Sequence, residues 1–156
     1  MRILGIDPGF ERLGIAVLEK NTGKECVIFS ECFKTSAKLE FPERLKLIGD
    51  EVRKIIEKYK PEVLAIETLF LNTNQKTVMR VAEARGVVIY EATQAGLKIF
   101  EASPPQIKMA TTGYGRSDKT QINKMVKMLV DLDKNKTSDD ELDAIAIALT
   151  AFAHLR

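Results

Sequence analysis

The chain opens with the apolar stretch RILGID at residues 2–7, which Pro8 and Gly9 interrupt. A second apolar run, GIAVL, follows at 14–18, and a third strand-like stretch covers 26–34 after the turn residues of 21–24. Short apolar runs separated by turn formers are typical of β-strands, and a tight connection joins antiparallel neighbours. These three runs therefore predict an antiparallel three-stranded unit at the start of the fold.

Helices and strands alternate over the rest of the chain. Apolar residues at helical spacing predict a helix from about Pro42 to Tyr59, and the next apolar run predicts a strand over 63–67. The same patterns predict a strand over 97–101 and helices over 75–94, from 104, over 117–132 and after the cap residue Ser138. This order predicts an α/β fold, with a mixed five-stranded sheet (three antiparallel strands, then parallel ones) and helices on both faces. Because no linker interrupts the 156 residues, we expect a single domain over 1–156.

The composition excludes several classes of protein and site. The chain has two cysteines without Cys-x-x-Cys spacing and one histidine, His154, which argues against a zinc site and a Ser-His-Asp hydrolase. No apolar run approaches the roughly 18 residues of a membrane span, and Asp7 comes too early for a signal peptide. We therefore expect a cytoplasmic protein with no membrane partner, whose chemistry uses carboxylates, lysines, hydroxyls or a bound metal.

The net charge of +2 is unevenly distributed along the chain. Residues 76–127 carry nine basic side chains against four acidic ones, whereas residues 128–143 carry two against six. A basic middle beside an acidic cluster suits a polyanionic ligand next to a cation site. A solvated, lysine-rich helix surface would give the same counts.

Two carboxylates stand at the ends of otherwise apolar strands. Asp7 ends the first predicted strand, and Glu67 ends the strand over 63–67. Because ligands of such sheets bind at the carboxyl ends of the strands, both acids are candidates for a binding site. Either acid alone could instead be a helix cap or a loop-entry residue.

The last predicted helix carries two more acids. Residues 142–153 are apolar on almost every side, which predicts a buried helix, yet Asp143 lies within it and Asp140 is three residues earlier on the same face. The acids at residues 139–141 could instead interact favourably with the positive end of the helix dipole, without any metal ion. A buried Asp143 needs a cation, and its own helix offers no obvious Arg or Lys. Four acids from two strand ends and one helix therefore predict a hard-cation site, of the kind in which paired magnesium ions direct water onto a phosphodiester.

With these residues identified, the sequence resembles the RuvC family of Holliday-junction resolvases, within the RNase H-like superfamily, nearly from end to end. The resemblance rests on ILGIDPG (3–9), RLKLI (44–48), AIE with Phe70 (65–70), ARGV (84–87) and DELDAIAIA (140–148). It implies an RNase H-like fold and a homodimeric endonuclease that nicks four-way DNA junctions symmetrically in recombination and repair. Actin-like ATPases share only the fragment around Asp7 and contain two such domains.

The resemblance also implies a metal site. Asp7, Glu67, Asp140 and Asp143 match the family's acidic quartet, which binds two Mg²⁺ ions per subunit, with Mn²⁺ as a substitute. Some members carry His at the position of Asp140, and this chain keeps Asp. The four acids identified from the strand ends and the last helix are thus the same four that the family uses.

Catalytic lysines and an aromatic DNA contact follow from the same resemblance. Lys108 and Lys119 match family lysines needed for activity, and a cation beside the scissile phosphate neutralises developing charge. Phe70 matches an aromatic residue that stacks on opened bases at the crossover. Apart from the resemblance, we expect Lys76, Arg80 and Arg116 of the basic middle, together with Asn74, to contact the DNA.

The expected partners are four-way junction DNA, a second copy of the chain and, by resemblance, the branch-migration motor RuvA–RuvB. The predicted helix over 75–94 has apolar residues on more than one face, and the surplus suits the partner subunit of a two-fold homodimer. Two other functions stay open at this point. One is an RNase H-like nuclease that acts on RNA, and the other is a module that binds junctions without cutting them.

Overall fold

The structure, a computed structural model, describes residues 1–21, 23–69, 75–130, 132 and 137–155. Helices and strands alternate in it as the sequence predicted. Within the described residues the elements are β1 (Arg2–Asp7), β2 (Arg12–Lys20), β3 (Glu25–Lys34), α1 (Phe41–Tyr59), β4 (Val63–Glu67), α2 (Gln75–Gln94), β5 (Lys98–Ala102), α3 (Pro104–Thr112), α4 (Lys119–Leu129) and α5 (Asp139–His154).

The described strands form one mixed sheet in the order β3-β2-β1-β4-β5. β1 pairs with β2, and β2 with β3, in antiparallel fashion, whereas β1–β4 and β4–β5 are parallel. The prediction of three antiparallel strands followed by parallel ones is confirmed. β1 and β4 lie in the interior of the sheet and are buried over residues 3–6 and 63–66, which explains why both read as continuous apolar runs.

Helices cover both faces of the sheet. α1 and α2 pack on the face that carries Leu4 and Ile6, and α3, α4 and α5 cover the face that carries Ile3 and Ala16. Successive residues of β1 therefore belong to different cores, as the alternation of side chains along a strand requires. None of the helices that the structure describes is both long and apolar enough to span a membrane.

α5 lies directly against β1 and β2 because two glycines leave room for its backbone. A Cβ atom at Gly5 would overlap the carbonyl oxygen of Ala144, and a Cβ atom at Gly14 would overlap that of Asp140. Any side chain at either glycine would therefore push α5 away from the sheet. This close approach places the first turn of α5 over the carboxyl end of β1.

The boundaries of α4 differ most from the prediction, which was a helix over 117–132. The helix spans Lys119–Leu129, because the Asp118 side chain accepts a hydrogen bond from the N–H of Gln121 and so caps the helix there. At the other end Val130 has an extended backbone. The bounds of the other predicted elements agree with the structure to within two residues.

Candidate functional site

Asp7 and Glu67 lie next to each other because β1 and β4 are parallel neighbours. Ile6 is paired with Ile66 across the two strands, and each acid is the next residue along its own strand. The two strand-end acids of the sequence prediction thus meet at one edge of the sheet. Ligands of α/β sheets bind at such an edge.

α5 begins over this edge, with its N-terminus fixed by the capping box that the sequence predicted. The Ser138 hydroxyl accepts a hydrogen bond from the N–H of Glu141 at 3.3 Å, and the Glu141 carboxylate accepts one from the N–H of Ser138 at 3.0 Å. The backbone of Asp140 lies against Gly14 of β2. The cap and the glycine contact together fix where the acids of the first turn are held.

A cavity of about 160 Å³ opens at these strand ends. Asp7, Glu67 and Asp143 contribute its carboxylates. The rest of its lining is apolar and consists of Ile107, Ile122, Ala146 and Ile147. This volume is large enough for several water molecules, and the apolar walls strengthen charge interactions inside it.

Burial and neighbouring negative charges disfavour the ionised forms of Asp7 and Glu67. The pKa of Asp7 is raised to about 7, first by burial and then by the negative charges of Asp143, Glu67 and Asp140, whereas Lys119 opposes the shift. Burial, followed by the charge of Asp143, also raises the pKa of Glu67. A cation held among the carboxylates would relieve this repulsion, so the donor set fits a hard divalent ion in both type and charge.

Two basic side chains neutralise part of the acidic charge. Lys119, the first residue of α4, donates from Nζ to Oδ2 of Asp143 at 2.9 Å, and Arg12, the first residue of β2, donates from Nη2 to Oδ2 of Asp140. The Asp143 side chain is 32% exposed. Asp143 is therefore half-buried rather than fully buried, and the cation that the sequence called for comes from α4, since its own helix supplies none.

These ion pairs also determine how far the acids converge. Among the described residues, no three His, Cys, Asp or Glu side chains are gathered closely enough to hold a metal ion as they stand. Lys119 holds Asp143 and Arg12 holds Asp140, so each pair directs its carboxylate toward a basic side chain. A metal ion would have to compete with both basic residues for its ligands.

The other predicted contact residues are spread over α2, α3 and the loop after α3. Lys108 lies on α3, next in sequence to a residue that lines the cavity, and Arg116 is exposed in the loop before α4. Lys76 is exposed in the first turn of α2. Phe70 and Asn74 lie outside the described residues.

Arg80 packs on aromatic rings. Its guanidinium carbon lies 5.0 Å from the centre of the Phe41 ring and 5.8 Å from that of Phe10, and the two rings meet edge to face. Arg44 lies over the Phe10 ring as well, at 5.0 Å. These cation–π contacts tie α2 to the start of α1 and to the loop that follows β1.

Arg12, Phe10 and Phe41 were not among the residues that the sequence predicted for the site. Arg12 is two positions from Gly14, so both lie on the same face of β2, and that face meets α5. The alternation of side chains would identify Arg12 only after α5 had been assigned to this face. No sequence signal links Phe10 and Phe41 to Arg80, because their contact depends on how the two helices pack.

Comparisons with known proteins agree over nearly the whole chain. The family model described as "Crossover junction endodeoxyribonuclease RuvC" matches residues 3–151. A curated relative with the same description, from Halothermothrix orenii, is 45% identical over 149 residues, which are 96% of this chain and 90% of the relative.

Solved structures are similar as well. The structure titled "T. thermophilus RuvC in complex with Holliday junction substrate" superposes with a TM-score of 0.93 at 31% identity, covering 100% of this chain and 95% of that one. The yeast mitochondrial Holliday junction resolvase Ydc2 has a TM-score of 0.71 at 17% identity, over 95% of this chain and 76% of its own, and so shares the fold. The expected RNase H-like fold is confirmed.

Proposed function

Because the chain belongs to the RuvC family of crossover junction endodeoxyribonucleases, we propose that it is a structure-specific DNA endonuclease that resolves Holliday junctions in recombination and repair. It nicks two strands symmetrically and leaves 5′-phosphate ends that a ligase can seal. The observation that carries the proposal is the cavity at the strand ends that Asp7, Glu67 and Asp143 line. A protein that only binds DNA gains nothing from carboxylates placed close together, because their mutual repulsion lowers stability and their charge repels phosphate.

Asp7, Glu67, Asp140 and Asp143 would hold two Mg²⁺ ions per subunit, with Mn²⁺ as a substitute, since all four supply the oxygen ligands that hard cations take. Bound there, such ions would supply the positive charge that activates the attacking water and stabilises the leaving 3′ oxygen. The chain's own contribution is to hold these carboxylates at the end of the sheet, where α5 and the strand ends meet. Ionisation of Asp7, whose pKa is about 7, favours cation binding above neutral pH.

Lys119 and Lys108 are the proposed catalytic lysines. The Lys119 side chain is 56% exposed and its Nζ lies 2.9 Å from Asp143, so it combines access to solvent with a place beside the cavity. A fixed cation there would neutralise charge that develops on the scissile phosphate. Lys108 extends from α3, the helix that supplies Ile107 to the cavity wall.

The remaining basic residues would position the junction. Phosphate contacts from Lys76, Arg80 and Arg116 carry no sequence information but set the register of the DNA, and they make affinity fall with salt. Arg80 is pre-oriented for such a contact by the aromatic rings under its guanidinium. Phe70 would stack on opened bases at the crossover, next to Asn74 as a further contact.

The outward face of α2 supports a homodimer. Met79 and Tyr90 are 67% and 59% exposed, and the small residues Ala82 and Gly86 between them are exposed as well. Small residues flanked by large apolar ones allow a second helix to approach closely, and a two-fold dimer suits two symmetric cuts. Gly86→Glu should yield monomers in sedimentation experiments, whereas Gly23→Glu, also at an exposed glycine, should leave a dimer.

Family membership alone supports three further parts of the proposal. Residues 1–156 would act as a single nuclease domain in the cytoplasm. The RuvA–RuvB motor would move the branch point of the same junction. Copurification of the tagged chain with RuvA and RuvB, in the presence and absence of junction DNA, tests whether the motor binds this chain directly.

The deciding experiment compares a synthetic four-way junction with a matched linear duplex and a structured RNA, each in Mg²⁺ and in EDTA. Paired symmetric nicks in the junction alone, lost in EDTA, support a resolvase. Cutting of the RNA in preference would favour an RNase H-like nuclease with another substrate. Tight junction binding without cutting in either Mg²⁺ or Mn²⁺ would contradict the nuclease proposal.

A further inference from the structure

On the basis of the metal-dependent function proposed above, we propose that Arg12 is a positioning residue that sets the cation affinity of the site. It neutralises Asp140 while no metal ion is bound and releases the carboxylate to an incoming divalent cation. Arg12 lies outside the cavity, and neither the strand-end pattern nor the family's acidic quartet includes it.

The Arg12–Asp140 pair joins a fixed carboxylate to a mobile cation. The Asp140 side chain is only 21% exposed, and its backbone is wedged against Gly14 in the first turn of α5. The Arg12 side chain is 54% exposed and reaches Asp140 from the solvent side. The thiol of Cys32 lies on the same carboxylate, with Sγ 3.5 Å from Oδ2 of Asp140. When the pair separates, Arg12 can move into solvent, whereas Asp140 keeps its place.

The charge of the site explains why such a partner is needed. Asp140 is one of three acids that raise the pKa of Asp7, and the others are Asp143 and Glu67. Lys119 neutralises Asp143 and Arg12 neutralises Asp140, so the metal-free site contains two cations against four acids. A guanidinium remains protonated at any pH at which the protein is folded, so this compensation is permanent until another cation replaces it.

The same contact opposes metal binding. A divalent ion that takes Oδ2 of Asp140 as a ligand displaces the hydrogen bond from Arg12, and an ion at the other carboxylate oxygen still approaches the positive guanidinium. Because an arginine–carboxylate pair with a solvent-exposed arginine is weak, an ion shared among several carboxylates displaces it. Arg12 therefore lowers the affinity for the cation without preventing its binding, and it stabilises the metal-free protein.

The experiment measures Mn²⁺ binding by calorimetry in the absence of DNA, together with the melting temperature in EDTA. We expect Arg12→Gln to bind Mn²⁺ about threefold to fivefold more tightly than wild type and to melt at a lower temperature in EDTA. Saturating Mn²⁺ should remove the difference in melting temperature. Arg12→Lys, which keeps the charge, should restore wild-type values. Arg2→Gln is the matched control, since it removes an arginine–carboxylate pair at the opposite end of the same strands and should not change Mn²⁺ affinity.

The direction of the change separates competition from a structural role. If Arg12 only maintained the scaffold, Arg12→Gln would weaken Mn²⁺ binding, and that result, or an unchanged affinity, overturns the proposal. The proposal is also overturned if Arg12→Lys, which keeps the positive charge, binds Mn²⁺ as tightly as Arg12→Gln does. None of these measurements depends on DNA cutting. If wild type cuts junctions but Arg12→Gln binds Mn²⁺ with wild-type affinity, the role of Arg12 is excluded and the proposed function still stands. Tighter Mn²⁺ binding in a protein that cuts no junction would leave only the role of Arg12 standing.

Discussion

The two ends of the antiparallel pair β1–β2 differ in how their charged residues are arranged. Where β1 begins, Arg2 pairs with Glu19 at 2.9 Å, and nearby Lys20 pairs with Glu25 at 2.7 Å. Where β1 ends, burial and then the negative charges of neighbouring acids raise the pKa of Asp7 to about 7. One end uses charge to hold neighbouring strands together. The other retains a repulsion that a bound cation would relieve, which is how a site for a ligand differs from a structural contact.

The largest effect should come from neutralising the acid at the centre of the repulsive end. Asp7→Asn should lower the rate of junction cutting by on the order of 10³-fold, because it removes a proposed metal ligand, while junction binding persists. Single-turnover cleavage and gel-shift assays on the same preparation measure the two effects separately. Retained cutting in the variant would show that the acidic end is not the reaction site.

Removing the basic partner at this end should have the next largest effect. Lys119→Ala should slow cutting at saturating junction by about 10²-fold, because charge on the scissile phosphate is no longer neutralised. Lys54→Ala serves as the control, since Lys54 lies on α1 and pairs with Glu51 at 3.1 Å. If the alanine variant at Lys119 loses junction affinity but keeps its maximal cutting rate, the lysine binds DNA without assisting catalysis.

The stability of the metal-free protein should depend on pH because of Asp7. The folded protein keeps the Asp7 proton up to about pH 7, whereas the unfolded chain releases it near 3.8. The folded state therefore binds more protons between these values, and the contribution of Asp7 to the free energy of unfolding falls as pH rises through the window and levels off above 7. We expect a loss of roughly 2–4 kcal/mol, measured as wild type against Asp7→Asn by urea unfolding in EDTA.

Saturating Mg²⁺ provides the control for the pH experiment. A bound cation should keep Asp7 ionised and shift its titration to lower pH. In Mg²⁺ the free energy of unfolding of wild type should therefore exceed that of Asp7→Asn. If the free energy of unfolding depends on pH in the same way in wild type and Asp7→Asn in EDTA, the pKa of Asp7 is not raised in the folded protein.

The smallest effect should arise at the paired end. Glu19→Gln should lower the free energy of unfolding by about 0.5 kcal/mol, as is usual for a partly exposed ion pair. Its rate of junction cutting should match that of wild type, because Glu19 lies at the far end of β2 from the cavity. A marked loss of cutting in this variant would show that the two ends of the strands are not independent.

The sequence predicts the elements that are apolar on both sides, and it predicts them well. β1 and β4 have the predicted bounds, because an interior strand must be apolar throughout, and α5 is as buried as its composition indicated. The acids at the strand ends follow from the same pattern. Their adjacency then depends only on β1 and β4 being parallel neighbours.

Side-chain partners could not be predicted in this way. Arg12 lies 128 residues before Asp140 and Lys119 lies 24 before Asp143. The first pair depends on how α5 lies on the sheet, and the second depends on how α4 packs against α5. The stacking of Arg80 on Phe41 likewise depends on how α2 meets α1. Periodicity reports which face of an element is apolar, but it carries no information on which element covers that face.

Gly14 has a consequence for how natural variants of this enzyme should be interpreted. Reacting groups must be held to within about 0.5 Å of their productive positions, and a single added methyl group at Gly14 would overlap the Asp140 carbonyl oxygen. Gly14→Ala would therefore displace α5 by more than the chemistry tolerates, although every acid would remain in the sequence. A homologue can carry the complete acidic set and still be inert, and the residue to inspect before inferring activity from such a set is this glycine.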